Sequence, residues 1–211
     1  ERQQAQKQQL VAKEAQQAAL VEQTKGQEAA YQNLVSQTQA QLQSVSSQQQ
    51  AYYNSLRSRG SVASGSVGAF SYSNYSGEMG CSGGYPYCAA PDTQVDPWGL
   101  YNRECVSYVA WALSERFGKY VGNFSGNGNA DQWRWSAAVY SGAQQVTTPQ
   151  PGDAVILPAD PNFAPVGHAM LVESVSGNRV RVSQYNMYGL HGYSTMDIGM
   201  TGVVFLRFNN K

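Results

Sequence analysis

Charge is scarce in this chain of 211 residues: 13% of positions carry it, and 14 basic residues balance 14 acidic ones. A surface without net charge has no electrostatic footprint for nucleic acid and none for an anionic membrane. Long apolar runs are missing too, so no segment reads as a membrane-spanning helix. Histidine occurs twice and cysteine three times. There is no Cys-x-x-Cys pair and no histidine at a ligand spacing from a cysteine, which argues against zinc. No other metal and no cofactor is expected. Residues 1–57 hold no proline and a single glycine, Gly26. Glu1 opens in the middle of a helical pattern with no leader before it. From this we expect a processed or truncated product, whose first residues say little about its location.

What is present changes sharply along the chain. Residues 1–57 are rich in Gln, Ala, Glu, Lys and Leu, a helix-forming composition. A 3,4 spacing links Val35, Thr38, Leu42, Val45, Gln49, Tyr52 and Leu56, an a/d seam with polar interruptions. Upstream the same register runs through Leu10, Glu14, Gln17, Val21, Thr24, Glu28 and Tyr31 and is poor. This predicts a helical coiled-coil arm, pairing with a missing upstream segment, with another copy or with a partner; a solvated single helix or a partly disordered arm is the alternative. Residues 58–83 are Gly/Ser-rich with scattered Tyr, a linker composition.

From residue 84 the pattern is globular. The spacing of Val106, Val109, Ala110, Leu113 and Phe117 predicts a helix over 103–117 capped by Asn102, and a second over 130–140 capped by Asn129 and stopped near Gly142. Four strands are expected: Asp153–Leu157, His168–Val175, Arg179–Tyr185 and Gly202–Phe208. Helices first and neighbouring hairpins after argue an α+β fold, with helices packed on an antiparallel sheet.

Two cysteines, Cys81 and Cys88, flank the turn-rich Ser-Gly-Gly-Tyr-Pro-Tyr and are expected to form a short-loop disulfide; two reduced thiols in a cytosolic loop is the alternative. Cys105 is then the free thiol, at the third position of its helix if Asn102 is the cap. Unpaired N–H groups and the positive end of the dipole favour a thiolate there. His168 opens an apolar strand much later, the order of a cysteine hydrolase. A three-residue loop, Ser176-Gly177-Asn178, pairs Val175 with Arg179 and Glu173 with Arg181. Counting on, His168 falls opposite Asn186, with Gln184 diagonal to it. All three share the face of Met170, Val172, Val180 and Val182, which we expect to pack on the Cys105 helix. Cys105 would attack an acyl carbon and His168 would take its proton. Asn186, or Gln184 second, would orient the imidazole, and the Cys105 N–H would face the oxyanion. Taken singly, Cys105 reads as a small core residue, His168 as a structural one and Asn186 as part of a turn.

The motifs Tyr85-Pro86-Tyr87, Glu104-Cys105-Val106-Ser107-Tyr108-Val109-Ala110-Trp111, Pro151-Gly152-Asp153-Ala154-Val155, Gly167-His168-Ala169 and Val182-Ser183-Gln184-Tyr185-Asn186 resemble those of a CHAP domain, the cysteine, histidine-dependent amidohydrolase/peptidase family. The resemblance covers residues 84–211. With the arm and linker ahead of it, the whole is similar to PcsB-type cell-wall hydrolases. It implies a papain-like fold and secreted action on bacterial peptidoglycan, at the N-acetylmuramoyl–L-alanine amide or at peptide bonds of stems and cross-bridges. Cys105 carries over as nucleophile and His168 as base. Many relatives have Glu where this chain has Gln184, a departure that makes Asn186 the preferred orienting residue. Some phage members bind calcium through an acidic loop, for which Asp92 and Asp96 are too sparse. The arm of PcsB-type proteins engages an FtsX-like membrane partner and can block the active site. A wall-binding or scaffold protein that no longer cuts, and a protease of protein substrates, are the competing readings.

Overall fold

The structure, a computed structural model, describes residues 13, 16, 24–28, 30–38, 40, 41 and 64–211. The chain falls into two units, Glu1–Ala51 and Tyr52–Lys211. In the first, residues 24–28 and 30–38 are helical, with Tyr31 and Leu34 exposed and Val35 half-buried. Of the expected seam, Thr24, Glu28, Tyr31, Val35 and Thr38 are described; Leu10, Glu14, Gln17, Val21, Leu42, Val45, Gln49, Tyr52 and Leu56 lie outside the described residues.

The second unit is α+β. Its strands are β1 (Gly65–Val67), β2 (Phe70–Ser73), β3 (Gln144–Val146), β4 (Ala154–Leu157), β5 (His168–Ser176), β6 (Arg179–Tyr185), β7 (Tyr193–Gly199) and β8 (Val204–Arg207). They form one eight-stranded sheet in the order β1-β2-β7-β6-β5-β4-β8-β3, with every pair antiparallel. Helix α1 is Cys105–Trp111, continued by a π-turn, Ala112–Arg116. Helix α2 is Trp133–Ser141, led in by a 3₁₀ turn, Ala130–Gln132, and ended at Gly142. As expected, Asn129 caps this second helical stretch: its N–H donates to Gln132 Oε1 at 3.1 Å, half of a capping box.

Residues 65–73 correct the linker expectation. They form a hairpin whose inner strand, β2, pairs Tyr72 with Ile198 and Ser73 with Asp197 of β7. The physical reason is alternation: Phe70 and Tyr72 are buried while Ser71 and Ser73 are only half-buried, a pattern that Gly/Ser composition hides.

Two cores flank the sheet. On one face α1, buried at all seven positions, packs with α2 on Ala154, Ile156, Ala169, Leu171, Tyr185, Leu206 and Phe208. On the other, Met170, Val172, Val180 and Val182 meet Phe70, Tyr72, Met196, Ile198 and Tyr188. The expectation that α1 covers the Met170 face is therefore wrong. That face is apolar because strand residues and the loop residues Ala164 and Met187 bury it.

The β5–β6 hairpin differs from its expected form at the tip and agrees with it near the site. The loop has two residues, Gly177-Asn178, so Ser176 pairs with Arg179 and Ser174 with Arg181. Gly177, with φ +58°, occupies the first central position of a tight turn, as in type II′. A bulge at Glu173 then restores the one-residue difference, giving Val172↔Val182 and Leu171↔Ser183. The expected Glu173–Arg181 pair does not form. Glu173 instead takes two hydrogen bonds from Arg116, both 2.7 Å, and one from Ser183 Oγ at 2.5 Å. Arg116 also donates to Tyr108 Oη (3.2 Å), which lies 2.8 Å from Ser183 Oγ. These four side chains close a ring that ties α1 to the sheet. Arg181 pairs with Asp197 on β7.

Candidate active site

Cys105 begins α1. The residue before it, Glu104, is the helix cap and makes no side-chain capping bond, so Cys105 is the first helical residue and not the third. Asn102 does not cap, because the chain turns too tightly there. Arg103 has φ +64°, Glu104 N–H reaches back to Tyr101 O at 3.2 Å, and the Asn102 amide is spent on Ala89 O at 3.0 Å.

Cys105 is 8% exposed and lines a cleft of about 490 Å³ with Asp92, Leu100, Tyr101, Glu104, Phe124 and Gln132 among its walls. Among the described residues, no Lys or Arg lines it. Burial pushes the Cys105 thiol up to about 12, and the Glu104 charge adds to that. The N–H groups of Ala169, Val106 and Cys105 itself act on the thiol in the opposite sense. Donors to a thiol stabilise the thiolate, and the same donors suit an oxyanion.

His168 starts β5, one residue before the Ala169 N–H that reaches the thiol. The residue is 5% exposed, and its Nε2 lies 2.9 Å from Gln184 Oε1. A carbonyl oxygen only accepts, so with this amide orientation Nε2 carries the proton and Nδ1 holds the free lone pair. Burial holds the imidazole down at about 4, against the Gln184 bond and the Glu104 charge, which both favour its protonation. Cys105 and His168 therefore rest as neutral thiol and neutral imidazole.

Gln184, the second choice from sequence, is the residue on the imidazole. Asn186, the first choice, is not. It has φ +56°, and its amide donates to Glu104 Oε1 at 2.7 Å while its Oδ1 accepts the His191 N–H at 2.9 Å. Asn186 thus orients the carboxylate beside the thiol. Sequence reasoning missed this second cluster. His191 lies 3.3 Å from Glu104 Oε1 through Nδ1 and 3.3 Å from Asp92 Oδ2 through Nε2. The Glu104 bond is the main cause that raises the His191 imidazole. Burial, then the bond and charge of Glu104, push the Asp92 carboxyl up to about 6. Asp92, Glu104 and His191 present ligand atoms within 4.8 Å of one another, and a cation could be held there. The only sequence signal was a carboxylate next to the candidate nucleophile; Asp92 and His191 come to it through the fold. Cys81 and Cys88 are paired in a disulfide, and Cys105 is free.

No curated protein matches the chain. Among solved structures, it is similar to "The crystal structure of Ly7917", with 22% identity over 51% of this chain and 54% of that one and a TM-score of 0.39. The related "The crystal structure of Ly7917 with the hydrolyzing product of MDP" gives 22% identity, the same coverage and a TM-score of 0.37. The chain spans about half the length of these proteins. The family that matches by sequence is the CHAP domain, over residues 95–186, a span that holds Cys105, His168, Gln184 and Asn186.

Proposed function

We propose that the chain is a peptidoglycan hydrolase that cuts an amide bond by thiol chemistry. The observation that carries this is a single buried free thiol at a helix start, in the wall of a cleft, with three backbone N–H groups acting on it and a histidine on the adjoining strand. The CHAP match over the same residues supports peptidoglycan as substrate. In the reaction, Cys105 Sγ attacks the acyl carbon as His168 Nδ1 takes its proton. The tetrahedral oxyanion is met by backbone N–H groups. The C–N bond then breaks, and His168 gives the proton to the leaving amine. Water, deprotonated by His168, cleaves the thioester and restores the thiol. Because both partners rest neutral, His168 acts as general base at the moment of attack. Gln184 fixes the ring and its tautomer.

The Cys81–Cys88 disulfide supports action outside the cell, where such bonds persist. For the arm we propose docking to a membrane partner of the FtsX kind or to a second copy, supported by its helical composition. The test is digestion of purified peptidoglycan, with products read by mass spectrometry. A new L-alanine amino terminus marks amidase action, and a cut within stem or cross-bridge marks endopeptidase action. Cys105→Ala should lose at least about 10³-fold in rate while keeping its circular dichroism spectrum. Clearance at the wild-type rate by Cys105→Ala would refute the proposal.

A further inference from the structure

Resting on that reading of Cys105, we propose that Tyr85, acting through Ser107 and Asp96, is the positioning residue for the thiol. It is the centre of a buried hydrogen-bonded chain that fixes where α1 begins.

The chain has a defined direction. The Arg103 backbone N–H can only donate, and it reaches Tyr85 Oη at 3.0 Å. The Asp96 carboxylate accepts from Ser107 Oγ at 2.5 Å. Between them, Tyr85 Oη and Ser107 Oγ lie 2.5 Å apart. The Ser107 O–H is engaged in donating to Asp96, so Tyr85 must donate to Ser107 and accept from Arg103. Every proton is used once. Tyr85, Ser107 and Asp96 are 4%, 0% and 5% exposed, so water does not replace these bonds.

Each end of the chain grips something the thiol needs. Arg103 and Ser107 lie two residues to either side of Cys105, so both flanks of the thiol hang on one phenol. Asp96 Oδ1 also accepts the N–H groups of Trp98 and Leu100, both at 2.9 Å, and so shapes the loop whose Val95, Leu100 and Tyr101 wall the cleft. The need is local. Helix α1 has no side-chain cap, and the turn before it holds Arg103 at φ +64°, a conformation that must be imposed from outside. Tyr85 is itself pinned: it sits inside the Cys81–Cys88 loop, and its ring packs on Tyr185 at 4.8 Å between centroids.

Tyr85→Phe removes one oxygen and keeps the ring. Asp96→Asn replaces Oδ2 by a donor, which turns the chain round and leaves two donors meeting at Tyr85. On a soluble muropeptide each variant should lose about 10-fold or more in kcat with KM within about twofold, since geometry at the nucleophile is lost and the cleft is not. The double variant should lose no more than the worse single, because one break already opens the chain. Losses that multiply, or a Tyr85→Phe enzyme with wild-type kcat, would overturn the proposal. Asp96 also holds backbone groups, so if Asp96→Asn does not fold, Ser107→Ala takes its place in the cycle. Hydrogen exchange gives a readout without substrate or variant: the Arg103 amide of the full chain should be protected, and in Tyr85→Phe exchange should rise across 101–106 alone. Fast exchange of that amide in the wild type sinks the proposal. If the wild type cuts no peptidoglycan yet exchange responds as stated, the hydrolase reading falls and the anchoring of the helix start stands.

Discussion

Held neutral by burial, His168 makes the stability of the fold respond to acid. Its pKa of about 4 lies below the ordinary 6.5, so on acidification the unfolded chain takes up the proton first. The stability it contributes is complete above pH 6.5 and is lost as pH falls toward 4, on the order of 3 kcal/mol in all. Urea titrations at pH 7 and pH 4.5 should show a drop for the wild type that is smaller in His168→Gln; equal drops would assign the acid sensitivity elsewhere. Gln184→Ala frees the ring to rotate and should cost about 10–100-fold in kcat, as removal of an orienting group does. Asn186→Ala leaves the imidazole its partner and acts through Glu104, so its activity loss should be the smaller of the two in the same assay. That Cys105 is the free thiol at a helix start and that His168 opens a strand was legible from sequence because each sits at the start of a periodic segment. The choice between Gln184 and Asn186 was not. Both fall on the proper side of His168, and only the positive φ of Asn186 turns its amide to Glu104.

At the scale of elements, His168 depends on the residue before it. Gly167 has φ +78°, and a Cβ there would stand 2.6 Å from Asp131 N and 2.8 Å from Leu157 O, both backbone atoms that cannot swing away. Gly167→Ala should therefore destabilise the domain by about 3 kcal/mol and shift His168 with it. A lowered urea midpoint together with lost activity is the expected result, and an unchanged midpoint would contradict the crowding argument. The legible elements were those with apolar stripes. Strands β4, β5, β6 and β8 and both helices carry them. Strand β7 was missed because Ser194, though buried, interrupts the alternation that Met196 and Ile198 continue. Strand β3, Gln-Gln-Val, has almost no apolar signal and exists through its pairing with β8. The hairpin register near the site came out right from a wrong loop length, because the bulge at Glu173 offset the error.

For the molecule as a whole, the first hairpin decides where the globular part can be cut. A fragment of residues 64–211 keeps β1 and β2 and should melt cooperatively. A fragment of 84–211 loses Phe70 and Tyr72 from the second core, leaves β7 as a bare edge and cannot form the disulfide. It should aggregate or melt lower by light scattering and calorimetry, and equal stability of the two would show the hairpin to be dispensable. Thiol counting tests the same boundary: under denaturing, non-reducing conditions the full chain should expose one alkylatable thiol, Cys105, and after reduction three.

The bulge at Glu173 also separates two stretches of one hairpin. Beyond it the pairing of β5 with β4 and of β6 with β7 holds the site end in place, so the Gly177-Asn178 tip can change without altering register near His168. That tip is thus a graft point: a tag, a fluorophore-binding peptide or a second folded module spliced between Gly177 and Asn178 should be carried without disturbing the strand pairing around His168.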